Sequence, residues 1–190
     1  SHAVPQGGLT VEMEQQYLSA LVADVAAQVE SAQGRSISSV FVGGGTPSLI
    51  SAQGYQDVFS QLRSLVAFDQ DCEITLEANS GTLEHEPFEG YLAAGINRLS
   101  LGVQTFDDDR LKVLGRVHSA ADAIRSIGQA KRAGFTRVNV DLMHGLPEQT
   151  VAQAVYDLQT AIDCGATHTS WYQLTIEPNT VFFRTQPTLP

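Results

Sequence analysis

Cysteine is nearly absent: the chain of 190 residues has two, Cys72 and Cys164, far apart and without Cys-x-x-Cys spacing. That excludes a disulfide framework and leaves no metal-ligand motif to read, so a reducing, cytoplasmic setting is expected. Long apolar runs are also missing, and with them any segment able to span a bilayer as a helix. The N-terminus lacks the basic-then-apolar layout of an export signal. Basic residues are scarce, with Lys and Arg totalling 11 against 21 Asp and Glu, for a formal net charge of -10. A surface short of cations is unsuited to non-specific nucleic-acid binding or to attachment to anionic lipid. Neither a Gly-x-G-x-x-Gly dinucleotide fingerprint nor a P-loop lysine occurs.

What is present is an alternation of helical and extended patterns. Val11 to Gln33 repeats apolar residues at three- and four-residue spacing (Tyr17, Leu18, Leu21, Val22, Val25, Val29), with Thr10 placed to cap the helix and Gly34 to stop it. A β-branched run, Ile37 to Val42, then feeds Gly43-Gly44-Gly45. Further helices are expected at Ala52 to Val66, Phe88 to Ala94, Asp108 to Leu114, Ala120 to Ala133 and Val151 to Cys164. Strands are expected at Glu73 to Glu77, Arg98 to Gly102, Arg137 to Leu142 and His168 to Leu174. Gly95, Gly134 and Gly165 stand where each helix must end before the next strand. The alternation implies α/β architecture on a parallel sheet. Five such strands fall short of the roughly eight that close a full barrel. An open or partial barrel, a doubly wound sheet, or a fragment all satisfy the pattern.

Ligands of parallel α/β sheets bind beyond the carboxyl ends of the strands. Those ends carry Gly43-Gly44-Gly45-Thr46-Pro47, Glu77-Ala78-Asn79, Gly102-Val103-Gln104, Asp141-Leu142-Met143-His144-Gly145 and Gln173-Leu174-Thr175. Each expected strand thus delivers a polar or glycine-rich element to one rim. Three glycines allow a ligand close to the backbone, although a tight turn alone would also explain them. Glu77 and Asp141, each read as closing an apolar strand, offer carboxylates for an ammonium or for ribose hydroxyls. A salt bridge to a neighbouring loop is the alternative. Gln104 can donate and accept; Arg116, in Leu114-Gly115-Arg116-Val117-His118, offers a planar fork for a carboxylate or is a surface arginine. His118 and His144 have the range for acid–base work but no nucleophile to pair with, and read as rim or packed structural residues. His85 reads as a solvated residue at a helix start.

In order along the chain, Gly43-Gly44-Gly45-Thr46-Pro47-Ser48-Leu49, Glu77-Ala78-Asn79, Leu101-Gly102-Val103-Gln104-Thr105-Phe106, Leu114-Gly115-Arg116-Val117-His118, Asp141-Leu142-Met143-His144-Gly145-Leu146-Pro147 and Trp171 to Thr180 resemble one family. It is the radical S-adenosylmethionine family of oxygen-independent coproporphyrinogen III oxidase, and the last stretch is most similar to its haem-chaperone branch. The resemblance implies a partial (βα)6 barrel related to the TIM barrel, here missing its first strand, so that residues 1–190 form an incomplete core without the family's C-terminal domain. It implies S-adenosylmethionine contacts at Gly44, Gly45, Thr46, Glu77, Gln104, Arg116, Asp141 and Thr175. It further implies a [4Fe–4S] cluster held by a Cys-x3-Cys-x2-Cys loop that this chain does not contain, and haem or a porphyrin as the small-molecule partner, with haem proteins as recipients. In the oxidases of this family, reductive cleavage of the sulfonium gives a radical that attacks porphyrinogen propionates. The alternatives are a true coproporphyrinogen dehydrogenase and a non-radical α/β domain binding a nucleotide.

Overall fold

The computed structural model describes residues 9–80 and 87–190. Five strands form one sheet: β1 (Ile37–Val42), β2 (Phe68–Asn79), β3 (Arg98–Gln104), β4 (Val138–His144) and β5 (His168–Gln173). They pair in sequence order and every pairing is parallel, which curls the sheet into a half-barrel. The helices are α1 (Val11–Gln28), α2 (Ala52–Leu65), α3 (Phe88–Ala93), α4 (Asp108–Val113), α5 (Ala120–Arg132), α6 (Val151–Asp163) and α7 (Val181–Thr185).

Register sorts the strand residues into two faces. Leu76 lies opposite Leu99, Leu99 opposite Val138 and Leu101 opposite Val140; all of these are buried beneath the helices. They pack with Val58 and Phe59 of α2, Tyr91 of α3, Ile127 of α5 and Ala161 of α6 in one cluster. Each fully buried Leu, Ile or Phe contributes on the order of 1.5–3 kcal/mol, so this layer holds the sheet to its helices. The alternate residues form the other face, and most are polar: Thr75, Glu77 and Asn79 on β2, Ser100 on β3, Asn139 and Asp141 on β4, Ser170 on β5.

The helix starts follow from short polar caps. Thr10 Oγ1 accepts from Met13 N–H and Ser51 Oγ from Gly54 N–H, while Ser119 with Asp122 and Thr150 with Gln153 form reciprocal capping boxes. Gly95, Gly134 and Gly165 take positive φ at the expected helix ends. Several boundaries differ from the sequence reading. The first helix gives way after Gln28 to a 3-10 turn over Val29–Ala32, and of its apolar stripe only Leu18 is buried, Val22 and Val25 being partly so, while Tyr17 and Leu21 face solvent. A stripe of three- and four-residue spacing is wider than the strip a helix covers against one neighbour. Strand β2 begins earlier and runs past Glu77 to Asn79, and β4 continues past Asp141 to His144. Glu77 and Asp141 therefore lie inside strands on the polar face rather than at strand ends. His85 lies outside the described residues.

Candidate functional site

The loop after β1 constrains two of its three glycines, each in a different way. At Gly43 a Cβ would stand 3.0 Å from Glu77 Oε2 and 3.2 Å from the Phe41 ring, so the position is closed by its neighbours. Gly44 has φ 120°, a region L-residues rarely occupy. Its N–H donates to Glu77 Oε2 at 3.4 Å, tying the loop to β2. Gly45 has neither constraint: its φ lies outside the left-handed region and nothing approaches within 4 Å of a Cβ built there. Thr46 turns its hydroxyl back to the Gly45 carbonyl at 2.8 Å, and a 3-10 turn over Pro47–Leu49 follows.

Across the polar face, Asp141 is held in a fixed orientation. Asn139 Nδ2 donates to Asp141 Oδ1 at 2.7 Å and lies 2.8 Å from Ser100 Oγ and 2.9 Å from Ser170 Oγ. The Ser100 hydroxyl is 3.2 and 3.1 Å from the two Asp141 oxygens. Gln104 ends β3 with φ 73°, a conformation that costs a non-glycine residue on the order of 1–3 kcal/mol and must be imposed by its surroundings. Part of that restraint is visible in its side chain, whose Oε1 accepts the Tyr172 hydroxyl at 2.5 Å. Burial pushes the Tyr172 phenol up, the Asp141 charge adds to the rise, and the Arg116 charge opposes it, so this hydroxyl remains a donor.

Arg116 does not follow a strand. It is carried back over the sheet by α4 and the turn at Gly115, where φ is 69°. The result is a cavity of about 300 Å3 lined by Gly44, Gly45 and Pro47 from the first loop, Glu77, Ala78 and Asn79 from β2, Ser100, Gly102 and Gln104 from β3, Arg116, and Asp141 from β4. Of the residues singled out in the sequence, Gly44, Gly45, Glu77, Gln104, Arg116 and Asp141 come together here. Thr46 is beside the cavity without lining it, and Thr175, two residues beyond β5, is exposed and outside it. His118 is buried with Nε2 3.2 Å from the Val103 carbonyl, and His144 packs its ring against Trp171 with centroids 4.8 Å apart; neither lines the cavity. Ser100, Asn139 and Tyr172 were not singled out from the sequence. For Ser100 and Asn139 the one legible signal is a polar residue alternating with apolar ones in strands whose other face is buried; Tyr172, on the exposed β5, has no such signal.

Comparison with known proteins matches residues 9–160 to the Radical SAM superfamily. The chain belongs to that superfamily. This radical SAM chain is 48% identical over 181 residues to the haem chaperone HemW of Haemophilus influenzae and 46% identical over 174 residues to HemW of Escherichia coli. Those alignments cover 93% and 92% of this chain but 47% and 46% of the relatives, so the chain spans about half the length of the curated proteins it matches. The solved structure of E. coli coproporphyrinogen III oxidase (HemN), described as a radical SAM enzyme, superposes with a TM-score of 0.79 at 27% identity, over 93% of this chain and 42% of that one.

The superfamily implies S-adenosylmethionine and a [4Fe–4S] cluster. The cavity suits the first: it sets one guanidinium against two carboxylates, and the exposed backbone at Gly44 and Gly45 has no side chain over it, a charge pattern complementary to a zwitterionic amino acid joined to a nucleoside. The second does not fit this chain. The sequence has two cysteines, and no group of three or more His, Cys, Asp or Glu suited to a metal occurs among the described residues. Among those residues no helix is long and apolar enough to cross a membrane.

Proposed function

We propose that this chain is the S-adenosylmethionine-binding part of a radical SAM haem chaperone, and that Gly44, Gly45, Thr46, Glu77, Gln104, Arg116, Asp141 and Thr175 contact the cofactor. The reading rests on one observation: Glu77, Arg116 and Asp141 converge with an uncovered glycine loop on a single cavity. Arg116 pairs its fork with the cofactor carboxylate. Glu77 and the glycine-loop carbonyls take the ammonium, and Asp141, oriented by Ser100 and Asn139, accepts from the ribose hydroxyls. Thr46 and Thr175 reach the ligand only if it extends past the cavity walls.

The identity to HemW over nearly the whole chain favours haem delivery to haem proteins as the role of the complete protein, with a [4Fe–4S] cluster supplied by residues outside this sequence. Coproporphyrinogen oxidation is the second reading, favoured by the close superposition on HemN but at lower identity. A domain binding an ordinary nucleotide is disfavoured by the pairing of two carboxylates with the glycine loop, which would repel a phosphate. Equilibrium dialysis of S-adenosylmethionine against S-adenosylhomocysteine, adenosine and ATP tests the cofactor reading. Saturable binding of the first two with ATP excluded is expected; preference for ATP overturns it. Transfer of haem from the full-length protein to an apo-haem protein, against turnover of coproporphyrinogen, separates the two biological roles.

A further inference from the structure

Behind the cavity, on α6, sits a buried carboxyl group that does not line it. Asp157 is 2% exposed, and its carboxylate faces inward from the outer helical layer. Oδ1 accepts from Phe106 N–H at 2.8 Å; Oδ2 accepts from the Thr105 hydroxyl at 2.8 Å and lies 3.5 Å from Gln149 Nε2. Both neighbours pass the connection on. Thr105 Oγ1 accepts from Asp107 N–H at 3.2 Å, and Gln149 Oε1 accepts from Leu146 N–H at 3.2 Å.

Thr105 and Phe106 belong to the loop after β3; Leu146 and Gln149 belong to the loop after β4. We infer that Asp157 is a positioning residue for the cavity, a remote carboxylate that locks the two rim loops together and so sets the placement of Gln104 and Arg116. Three observations converge on this role. Gln104, with its left-handed backbone, immediately precedes the two residues Asp157 grips. Asp107, the next residue, caps α4 by accepting from Asp109 and Arg110 N–H, so the direction of that helix depends on where the loop is held. Arg110 then reaches from α4 to the Glu148 carbonyl at 3.1 Å and Gln153 Oε1 at 2.9 Å, a second tie to the same loop and to the start of α6. Arg116 lies at the end of this pinned excursion.

A buried carboxylate is a poor source of net stability, because its desolvation offsets its hydrogen bonds. What it supplies is direction: two oxygens, fixed on a helix, meeting donors from a loop that no strand pairing restrains. The inference rests on the cofactor reading of the cavity, and its test is arranged to fail separately from that reading.

Asp157→Ala and Asp157→Asn are made in the full chain, beside Ala161→Gly, which loosens the same helix without touching either loop. Hydrogen exchange at residues 104–107 and 146–149, the thermal midpoint and S-adenosylmethionine affinity are measured on each. Asp157→Ala is expected to speed exchange at the Phe106 and Asp107 amides and to weaken affinity, each by about tenfold, the loss of a charge-assisted hydrogen bond. Asp157→Asn, which keeps one acceptor for Phe106 N–H, is expected to recover part of both, and it carries the test if the alanine variant does not fold. Ala161→Gly should lower the midpoint and leave loop exchange and affinity unchanged. Wild-type exchange in both Asp157 variants, or equal loss of affinity in Ala161→Gly, overturns the inference. If the wild-type chain takes up no S-adenosylmethionine, the cofactor reading fails, while the exchange comparison still decides whether Asp157 holds the loops.

Discussion

Gly45→Ala separates what the fold requires of the glycine loop from what a ligand requires. Position 45 has an ordinary φ and open space where a Cβ would stand. Replacing such a glycine reduces the freedom of the unfolded chain and stabilises by about 0.4–1 kcal/mol. For a chain of this size that raises the thermal midpoint by about 1–4 °C. Gly44→Ala is the contrast: at φ 120° the methyl forces strain on the order of 1–3 kcal/mol, and the midpoint should fall. The same Gly45 methyl projects into the space the cofactor would fill. Forcing a methyl into a filled site costs about 1–3 kcal/mol, or roughly five- to hundredfold in affinity. Thermal unfolding followed by circular dichroism gives the first quantity and equilibrium dialysis of labelled S-adenosylmethionine the second. A Gly45→Ala chain that is more stable yet binds more weakly is the expected pairing. One that is less stable would show a structural demand at Gly45 that the geometry does not contain, and one with unchanged affinity would remove the ligand from this loop.

Three other perturbations bear on the same reading. Arg116→Ala should weaken S-adenosylmethionine about ten- to hundredfold, and Arg116→Lys should restore only part of it, because the charge returns without the fork; because Arg116 is exposed, the loss should shrink as salt is raised, and unchanged affinity in folded Arg116→Ala would make it a surface arginine. Burial pushes both the Cys72 and Cys164 thiols up, so alkylation at neutral pH should be far slower in the native chain than in urea, and anaerobic incubation with iron and sulfide should give no cluster absorbance; stoichiometric iron with sulfide would contradict this. Burial also raises the Asp157 carboxyl, with Asp107 adding to the rise and Phe106 N–H, the Thr105 hydroxyl and Arg110 opposing it. A raised folded value means that its contribution to stability is present below the unfolded value, about 3.9, and is lost as pH rises through the folded one. Relative to Asp157→Asn, the wild-type chain should therefore lose stability in urea titrations as pH rises above the unfolded value, and a gain would refute burial as the dominant influence.

The half-barrel was legible because its signals are local and repeat. Thr10 marks a helix start, Gly95, Gly134 and Gly165 mark helix ends, and the β-branched run Ile37 to Val42 marks a strand. Strand ends were less legible. Glu77 and Asp141 looked like terminators because each interrupts an apolar run, yet in a sheet covered on one face only, a polar residue at every second position is what an interior strand requires. The same alternation conceals Ser100 and Asn139, which become a network only when register sets them side by side. Arg116 could be matched to a family motif, but the path that returns it to the cavity depends on Asp157 and Arg110 meeting loops some forty to fifty residues away in sequence, and no local pattern encodes that. Thr175 was chosen by the same matching to a family motif; it stands two residues past β5, whose Tyr172 reaches Gln104 of the cavity wall, and is itself outside that wall.

The polar face also explains why the sheet remains strained at Gln104. In a closed barrel the inward layers are filled by branched apolar side chains, which pack without hydrogen bonds and impose no direction. Here Thr75, Ser100, Asn139, Asp141 and Ser170 occupy those layers, and each must find a partner or bear the cost of desolvation. They satisfy one another: the two Asn139 amide hydrogens face Asp141 and the Ser100 and Ser170 hydroxyls, the Ser100 hydroxyl donates to Asp141, and Arg98 donates to Thr75 Oγ1 at 3.2 Å. Such a network gains little over an apolar filling in stability but holds its members at fixed angles. Asp141 is thereby presented upward with its orientation set before a ligand arrives, and the Tyr172 hydroxyl does the same for Gln104. Preorganisation of this kind lowers the cost of ordering the site on binding. It accounts for a sheet that forgoes an apolar interior on the face where it has a cavity to orient.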